Sequence, residues 1–249
     1  MISAFLFDLD GTLVLSEHLK SRSYAHAIRD LRQDRTSDLA VLEVYKQQVG
    51  QTREKMSNFL MESFDLVEVC RKLLPEYAVE HPWQVLASLR MTYYGDMIDD
   101  PGLMREYERP HSTALLRNAL QRGYRTALAT SSQTPEARRV LESLQILDCF
   151  EEIIGADQVT RHKPEPEIYL LAASRLGIPP EECLVIEDTP TGVSAGLAAG
   201  MSVVATSNDL TEESLNRHRD LDQQWHVHDP ERLQSVVDQL IARHNLNSH

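Results

Sequence analysis

Residues 5–13 read FLFDLDGTL. Three bulky apolar residues run straight into two aspartates separated by one leucine, and then into Gly-Thr. Apolar residues on consecutive positions suit a strand buried on both faces, as in a parallel sheet covered by helices. Such a strand should not end on two like charges with nothing to balance them. Two carboxylates about 4 Å apart repel by about 1 kcal/mol in water and about 4 kcal/mol at an effective dielectric near 20. The fold and the chemistry of the chain both turn on what Asp8 and Asp10 face.

Working outward, the chain has two textures. From about Arg109 onward, short apolar runs alternate with amphipathic patterns. YRTALAT (124–130), EEIIGA (151–156), CLVIED (183–188) and MSVVAT (201–206) read as strands. The segments between them place Ala137, Val140, Leu141 and Leu144, then Ile168, Leu171, Ala172 and Leu176, on single helical faces. After Asn208 the pattern predicts a helix, a short strand near Trp225–Val227 and a closing helix from about Pro230. Near-continuous strands separated by helices imply an α/β fold, a doubly wound parallel sheet of Rossmann-like type. Residues 16–104 are different: charged residues mix with Leu, Val, Met and Tyr at helical spacing, with few glycines. They read as an inserted α-helical segment, with breaks at Gly50-Gln51-Thr52 and over 75–82. Its exit is marked by DDPG (99–102) and by Arg109-Pro110. The expected organisation is a sheet domain of 1–15 and 105–249 around a helical insertion of 16–104.

Bulk properties narrow the function. The chain has 249 residues, enough for a large core, and a formal net charge of -13. A strongly acidic chain without a basic stripe argues against nucleic acid or an anionic membrane as a partner. Cys70, Cys149 and Cys183 are odd in number and widely spaced, with no metal-ligand spacing, which fits reduced thiols. The apolar start meets Asp8 too soon for a signal-peptide core, and no stretch approaches the ~20 apolar residues of a membrane span. A cytoplasmic monomer acting on a small molecule is the expectation.

In an open parallel sheet, ligands bind outside the carboxyl ends of the strands. The chemistry-bearing residues all fall there. Asp8 and Asp10 follow the first strand, Thr130 and Ser131 follow TALA, and Glu187 and Asp188 follow CLVI. Lys163 lies in the loop after EEIIGA. Four carboxylates on one rim need a cation, and hard oxygen ligands without a His or Cys set point to Mg2+. Lys163 can neutralise further negative charge, Thr130 can donate to a phosphate oxygen, and Gly11 permits a sharp turn after Asp10. A carboxylate can attack phosphorus, which suits Asp8 as nucleophile. Asp10, two residues on, can serve the leaving oxygen as acid and then water as base. Taken singly, each feature has a plainer explanation. Asp-x-Asp can be a turn, Thr130 a helix cap, Lys163 a solvated charge, and Glu187-Asp188 a charge pair at a helix start. All of them in order, each at a strand end, point to one site.

DLDGT (8–12), ALAT (127–130), KPEPEIY (163–169) and VIEDTPTG (185–192) resemble the four motifs of the haloacid dehalogenase superfamily. The helical insertion straight after the first motif is similar to the cap of the branch containing β-phosphoglucomutase and small sugar-phosphate phosphatases. The resemblance implies Asp8 as nucleophile, Asp10 as acid and base, and Thr130 and Lys163 as phosphate ligands, with Ser131 beside them. It also implies Mg2+ on Asp8, the Asp10 carbonyl and Asp188, with Glu187 nearby, and a cap that closes to exclude water. GQTREK (50–55) resembles the family's cap loop, which makes Arg53 a candidate substrate contact. Arg90 stands where the mutase has a lysine, and Lys20 where it has a histidine that couples closure to Asp10. Leu15 replaces an acidic residue common after DGTLV, and Arg109-Pro110-His111 replaces a Pro-Gly turn. These departures weigh against the mutase. The expected activity is a Mg2+-dependent phosphatase of small phosphomonoesters, sugar phosphates above all. The alternatives are a β-phosphoglucomutase and, further off, a non-catalytic binding module.

Overall fold

Phe5, Leu6 and Phe7 lie in β1 (Ala4–Phe7) of a computed structural model that describes residues 1–49 and 52–247. The other strands are β2 (Arg125–Ala129), β3 (Glu152–Ile154), β4 (Cys183–Glu187), β5 (Ser202–Thr206) and β6 (His226–Val227). They form one sheet in the order β3-β2-β1-β4-β5-β6, and every pairing is parallel. This is the doubly wound order in which the chain leaves β1 in both directions, so the crevice between β1 and β4 is the switch point where ligands bind. The registers put Phe7 beside both Leu128 and Ile186. Asp8 and Glu187, one residue further on, therefore emerge side by side.

Strand alternation divides the apolar residues between two faces. Leu6 joins Ala127, Ala129, Val185 and Val203 beneath α9 (Glu167–Leu176) and α10 (Pro190–Ala198). Phe5 and Phe7 face the other way, with ring centroids 4.9 Å from Tyr124 and 6.2 Å from Phe150. The alternation comes from the strand's period of two, and both faces are buried because helices cover both. The remaining helices of this unit are α7 (Pro110–Gln121), α8 (Thr134–Ser143), α11 (Glu212–Asn216) and α12 (Leu233–Asn247). All three cysteines are free thiols, Cys70 and Cys183 buried and Cys149 half-buried. Among the described residues, no helix is long and apolar enough to cross a membrane.

The chain divides into two units, Met1–Leu15 with Glu108–His249, and Ser16–Tyr107. The second is all helical: α1 (Ser16–Arg32), α2 (Asp38–Tyr45), α3 (Arg53–Ser63), α4 (Val67–Tyr77), α5 (Pro82–Ile98) and α6 (Pro101–Tyr107). Its own core gathers Ile28, Leu60, Cys70, Val85 and Leu86. The break read over 75–82 falls at 78–81: Pro75 lies inside α4, which is capped by Ala78 in the left-handed region, and Pro82 opens α5. One punctuation mark works differently from the sequence reading. DDPG is a helix start rather than an exit: Asp100 Oδ1 accepts from the N–H groups of Gly102 and Leu103, and α6 belongs to the helical unit. The break read at Gly50 and Gln51 lies outside the described residues; Thr52 beside it caps α3, its hydroxyl accepting from Lys55 N at 3.3 Å.

Leu6 is fully buried between neighbours in the central strand. Leu6→Ala should destabilise the chain by about 2–5 kcal/mol, the usual cost of such a core deletion. Urea unfolding checks this through a fall in midpoint at unchanged slope.

Candidate active site

The turn after β1 is tight. Gly11 N donates to Val14 O at 2.7 Å, and Leu13 N donates to Leu9 O at 2.9 Å. Gly11 has φ +83°, and a Cβ there would sit 2.0 Å from Asp188 Oδ2, so glycine alone fits. This close approach brings the Asp8–Asp10 segment against the end of β4. Asp8, Glu187 and Asp188, all buried, each offer an oxygen within 4.8 Å of the others.

Lys163 is the counter-charge. Its side chain is 5% exposed, and its ammonium donates to Asp8 Oδ1 and Glu187 Oε1, both at 2.7 Å, and to Ala129 O at 3.0 Å. Burial by itself would lower the lysine's pKa, but Asp8 and Glu187 reverse that and hold the ammonium charged. Glu187 is saturated on both oxygens. Oε1 also accepts from the Tyr169 hydroxyl at 3.0 Å, and Oε2 accepts from Asp188 N, Thr189 N and the Thr189 hydroxyl. Burial pushes Glu187 up, yet Lys163 and these N–H groups bring it below the usual carboxylate range. Gly192 makes room for it, since a Cβ there would lie 1.6 Å from Oε1.

Asp8 and Asp188 stand otherwise. Burial pushes Asp8 up to about 8, with Lys163 opposing and the charges of Glu187 and Asp10 reinforcing the rise. Asp188 is also raised, by burial and then by Glu187 and Asp8. These two carboxylates resist ionisation together while only protein surrounds them. A buried pair of this kind is relieved by a proton or by a hard cation. Asp8 and Asp188 therefore fit a divalent oxygen-liganded ion, and Glu187, spent on hydrogen bonds, orients the lysine and the loop. By its carboxylate, Asp10 lies outside this acidic group.

Asp10 faces β2 instead. Its Oδ2 accepts from the Ser132 hydroxyl at 2.6 Å and the Thr130 hydroxyl at 3.3 Å. Thr130 is thus not a helix cap; α8 begins only at Thr134. Ser131, expected beside the phosphate, is exposed, and Ser132 supplies the second hydroxyl because the chain turns once more after the strand. Two further residues escaped sequence reading. Asn208 donates to Asp188 Oδ2 at 2.8 Å, and the buried Arg109 guanidinium donates to Gly11 O at 2.7 Å. Neither belongs to a periodic pattern; their only signal is a polar residue just after a strand and a basic one just before a helix.

The remaining candidates lie in the helical unit. Arg53 is the exposed first residue of α3. Lys20 pairs with Glu17 at 2.7 Å, and Glu17 in turn accepts from the Tyr45 hydroxyl at 2.6 Å. Arg90 is buried, with its guanidinium 4.3 Å from the Tyr94 ring centroid and 5.4 Å from that of Tyr24, and it donates to Met91 Sδ at 2.8 Å.

Comparison with known proteins gives the family. Residues 2–200 match the family model for haloacid dehalogenase-like hydrolases. Hexitol phosphatase A of Escherichia coli is 41% identical over 107 residues, which are 43% of this chain and 49% of that protein, so the match spans about half of each. The phosphorylated carbohydrates phosphatase of Thermotoga maritima is 28% identical over 212 residues, 84% of this chain and 88% of its own length. A crystal structure of β-phosphoglucomutase from Clostridium difficile superposes with a TM-score of 0.64 at 23% identity, covering 97% of this chain and 100% of that one, a likeness of fold. With the motif residues assembled at one switch point and the family model spanning most of its length, the chain belongs to the haloacid dehalogenase-like hydrolases.

Proposed function

We propose that the chain is a Mg2+-dependent phosphatase of small phosphomonoesters, sugar phosphates above all, working through an aspartyl-phosphate on Asp8. The observation that carries this reading is the asymmetry of Asp8. The one hydrogen bond that its carboxylate makes among the described residues, from Lys163, is on Oδ1, so Oδ2 is the oxygen left to attack. Attack of Oδ2 on phosphorus breaks the bond to the ester oxygen, and Asp10, as the acid, gives that oxygen its proton. Water then attacks the phosphorus, Asp10 takes the water's proton, and phosphate leaves with the Asp8 carboxylate restored. Thr130 and, in place of Ser131, Ser132 would turn their hydroxyls from Asp10 to the phosphoryl oxygens, and Lys163, whose protons serve Asp8, Glu187 and Ala129 here, would add its charge. Asp8, Asp188 and the Asp10 carbonyl would hold Mg2+, which when bound neutralises charge on those oxygens.

Two relatives whose names specify phosphorylated sugars or sugar alcohols favour a phosphatase over a mutase. Phosphate release from a panel of hexose and hexitol phosphates tests the reading. Given β-glucose 1-phosphate, the chain should liberate inorganic phosphate; conversion to glucose 6-phosphate would identify a mutase instead. Asp8→Asn, which keeps the volume but cannot attack phosphorus, should abolish release while the far-ultraviolet circular dichroism spectrum stays that of the folded parent.

Protons and the cation compete for Asp8 and Asp188. Because burial raises Asp8 to about 8, cation binding below that pH must expel a proton. The Mg2+ concentration for half-maximal rate should therefore fall as pH rises from 6 to 8. EDTA should stop turnover and Mg2+ restore it, and Asp188→Ala should demand more Mg2+. A rate indifferent to chelation would contradict the metal assignment.

Arg53, Lys20 and Arg90 are the cations we assign as substrate contacts, Arg53 to the part remote from the reacting phosphoryl group. Arg53 offers a fork suited to a second phosphate or a vicinal diol. Loss of one charge-assisted contact costs about 1.5–3 kcal/mol, or roughly 10- to 100-fold in kcat/KM. Arg53→Ala should impose that loss on the preferred sugar phosphate and spare p-nitrophenyl phosphate, which lacks the remote part. Equal losses on both would assign Arg53 to the fold.

A further inference from the structure

Arg109 does more than continue the chain from the helical unit. Its guanidinium is buried and engages four acceptors on two segments distant in sequence. One terminal nitrogen donates to Gly11 O at 2.7 Å and Thr206 O at 3.3 Å; the other donates to the Thr206 hydroxyl at 3.1 Å and Ser207 O at 2.9 Å. Its own N–H donates to Leu13 O at 2.9 Å, and Val14 bridges antiparallel to Glu108. The two segments that lead out of and back into the sheet unit are thus tied together. The side chain then ties both to the end of β5.

What this clamp holds is the turn after β1 against the end of β5. Gly11 is the residue whose missing side chain lets Asp188 approach the Asp8–Asp10 turn. Asn208, one residue beyond the clamped Ser207, donates to Asp188 Oδ2 at 2.8 Å and to Gly11 O at 3.5 Å. Arg109 therefore fixes two of the residues around Asp188: Gly11, through its carbonyl, and Asn208, through Ser207; the Thr12 hydroxyl, 3.4 Å from Asp188 Oδ1, is a third. Its positive charge also faces the acidic group. The geometry points to Arg109 as a positioning residue that sets the placement of Asp188 for the divalent cation. The cation it concerns is the one assigned above, so the inference rests on that reading.

A lysine keeps the charge but cannot reproduce a planar fork reaching four acceptors. Arg109→Lys should therefore raise the Mg2+ concentration for half-maximal rate by about tenfold or more, as removal of groups that orient metal ligands usually does. KM for p-nitrophenyl phosphate should not change. Without substrate, the Mg2+ concentration giving half of the metal-induced rise in thermal midpoint should move by the same factor, a readout that a simple loss of packing does not shift. Thr206→Val removes one acceptor at nearly constant volume and should move both midpoints in the same direction by less; it decides the matter if Arg109→Lys does not fold. Folded variants with the parent's metal midpoints overturn the proposal. A parent chain whose melting ignores Mg2+ also overturns it, whether or not phosphate is released. Metal binding that depends on Arg109 without any phosphate release would leave the positioning role standing and remove the phosphatase reading.

Discussion

A buried lysine between two buried carboxylates is the constraint around which the sheet unit is arranged. Lys163 reaches Asp8 at the end of β1 and Glu187 at the end of β4, each at 2.7 Å, with its side chain 5% exposed. Breaking a buried pair by removing one partner costs about 3–5 kcal/mol, because the other charge stays desolvated. Here one cation serves two anions on adjacent strands, so the parallel pairing of β1 with β4 and the path of the Lys163 loop are mutually dependent. The remaining lone pairs of Glu187 are occupied by Tyr169, Thr189 and the N–H groups that open α10. A network completed in this way is rigid.

The same arrangement leaves a deliberate imbalance. Lys163 compensates about one of the three buried carboxylates, while burial drives both Asp8 and Asp188 towards protonation, helped by Glu187 and Asp10 at Asp8 and by Glu187 and Asp8 at Asp188. The two carboxylates therefore differ from Glu187 in kind. Glu187 is a structural anion with every acceptor used; Asp8 and Asp188 are held ready for an additional positive partner. Both glycines that touch these side chains, Gly11 and Gly192, serve this packing: each removes a Cβ that would occupy the place of a carboxylate. Fold and function meet in those two missing methyl groups.

Much of this was legible in the sequence, and the reasons are physical. Strands buried on both faces leave unbroken apolar runs, so β1, β2, β4 and β5 stood out, and parallel strands must deliver their following residues to one edge. Asp8, Thr130, Lys163, Glu187 and Asp188 met there because each follows such a run. Helix boundaries were harder. Pro75 signals a stop but is tolerated where α4 is about to end, and Asp100-Pro101-Gly102 signals a turn but caps α6. Choosing between Ser131 and Ser132 required the path of a turn, which two adjacent serines do not encode.

Arg109 and Asn208 show a different kind of illegibility. An arginine before a proline at a helix start has an exposed residue as its ordinary reading, and nothing nearby in sequence says otherwise. Its acceptors are main-chain carbonyls at Gly11, Thr206 and Ser207, and carbonyls carry no residue identity. Motifs register side chains that perform chemistry; they do not register the backbone those side chains stand on. In this chain the backbone around Asp188 is held by a residue at the very point where the chain re-enters the sheet unit. The returning segment is therefore hydrogen-bonded, through one guanidinium, to the Gly11 carbonyl and to the loop carrying Asn208. A site built on shared carboxylates tolerates little displacement of either strand end, since the distances that allow one ammonium to serve Asp8 and Glu187 also set where Asp188 stands. The position of the returning linker is thus part of the electrostatic design of the site.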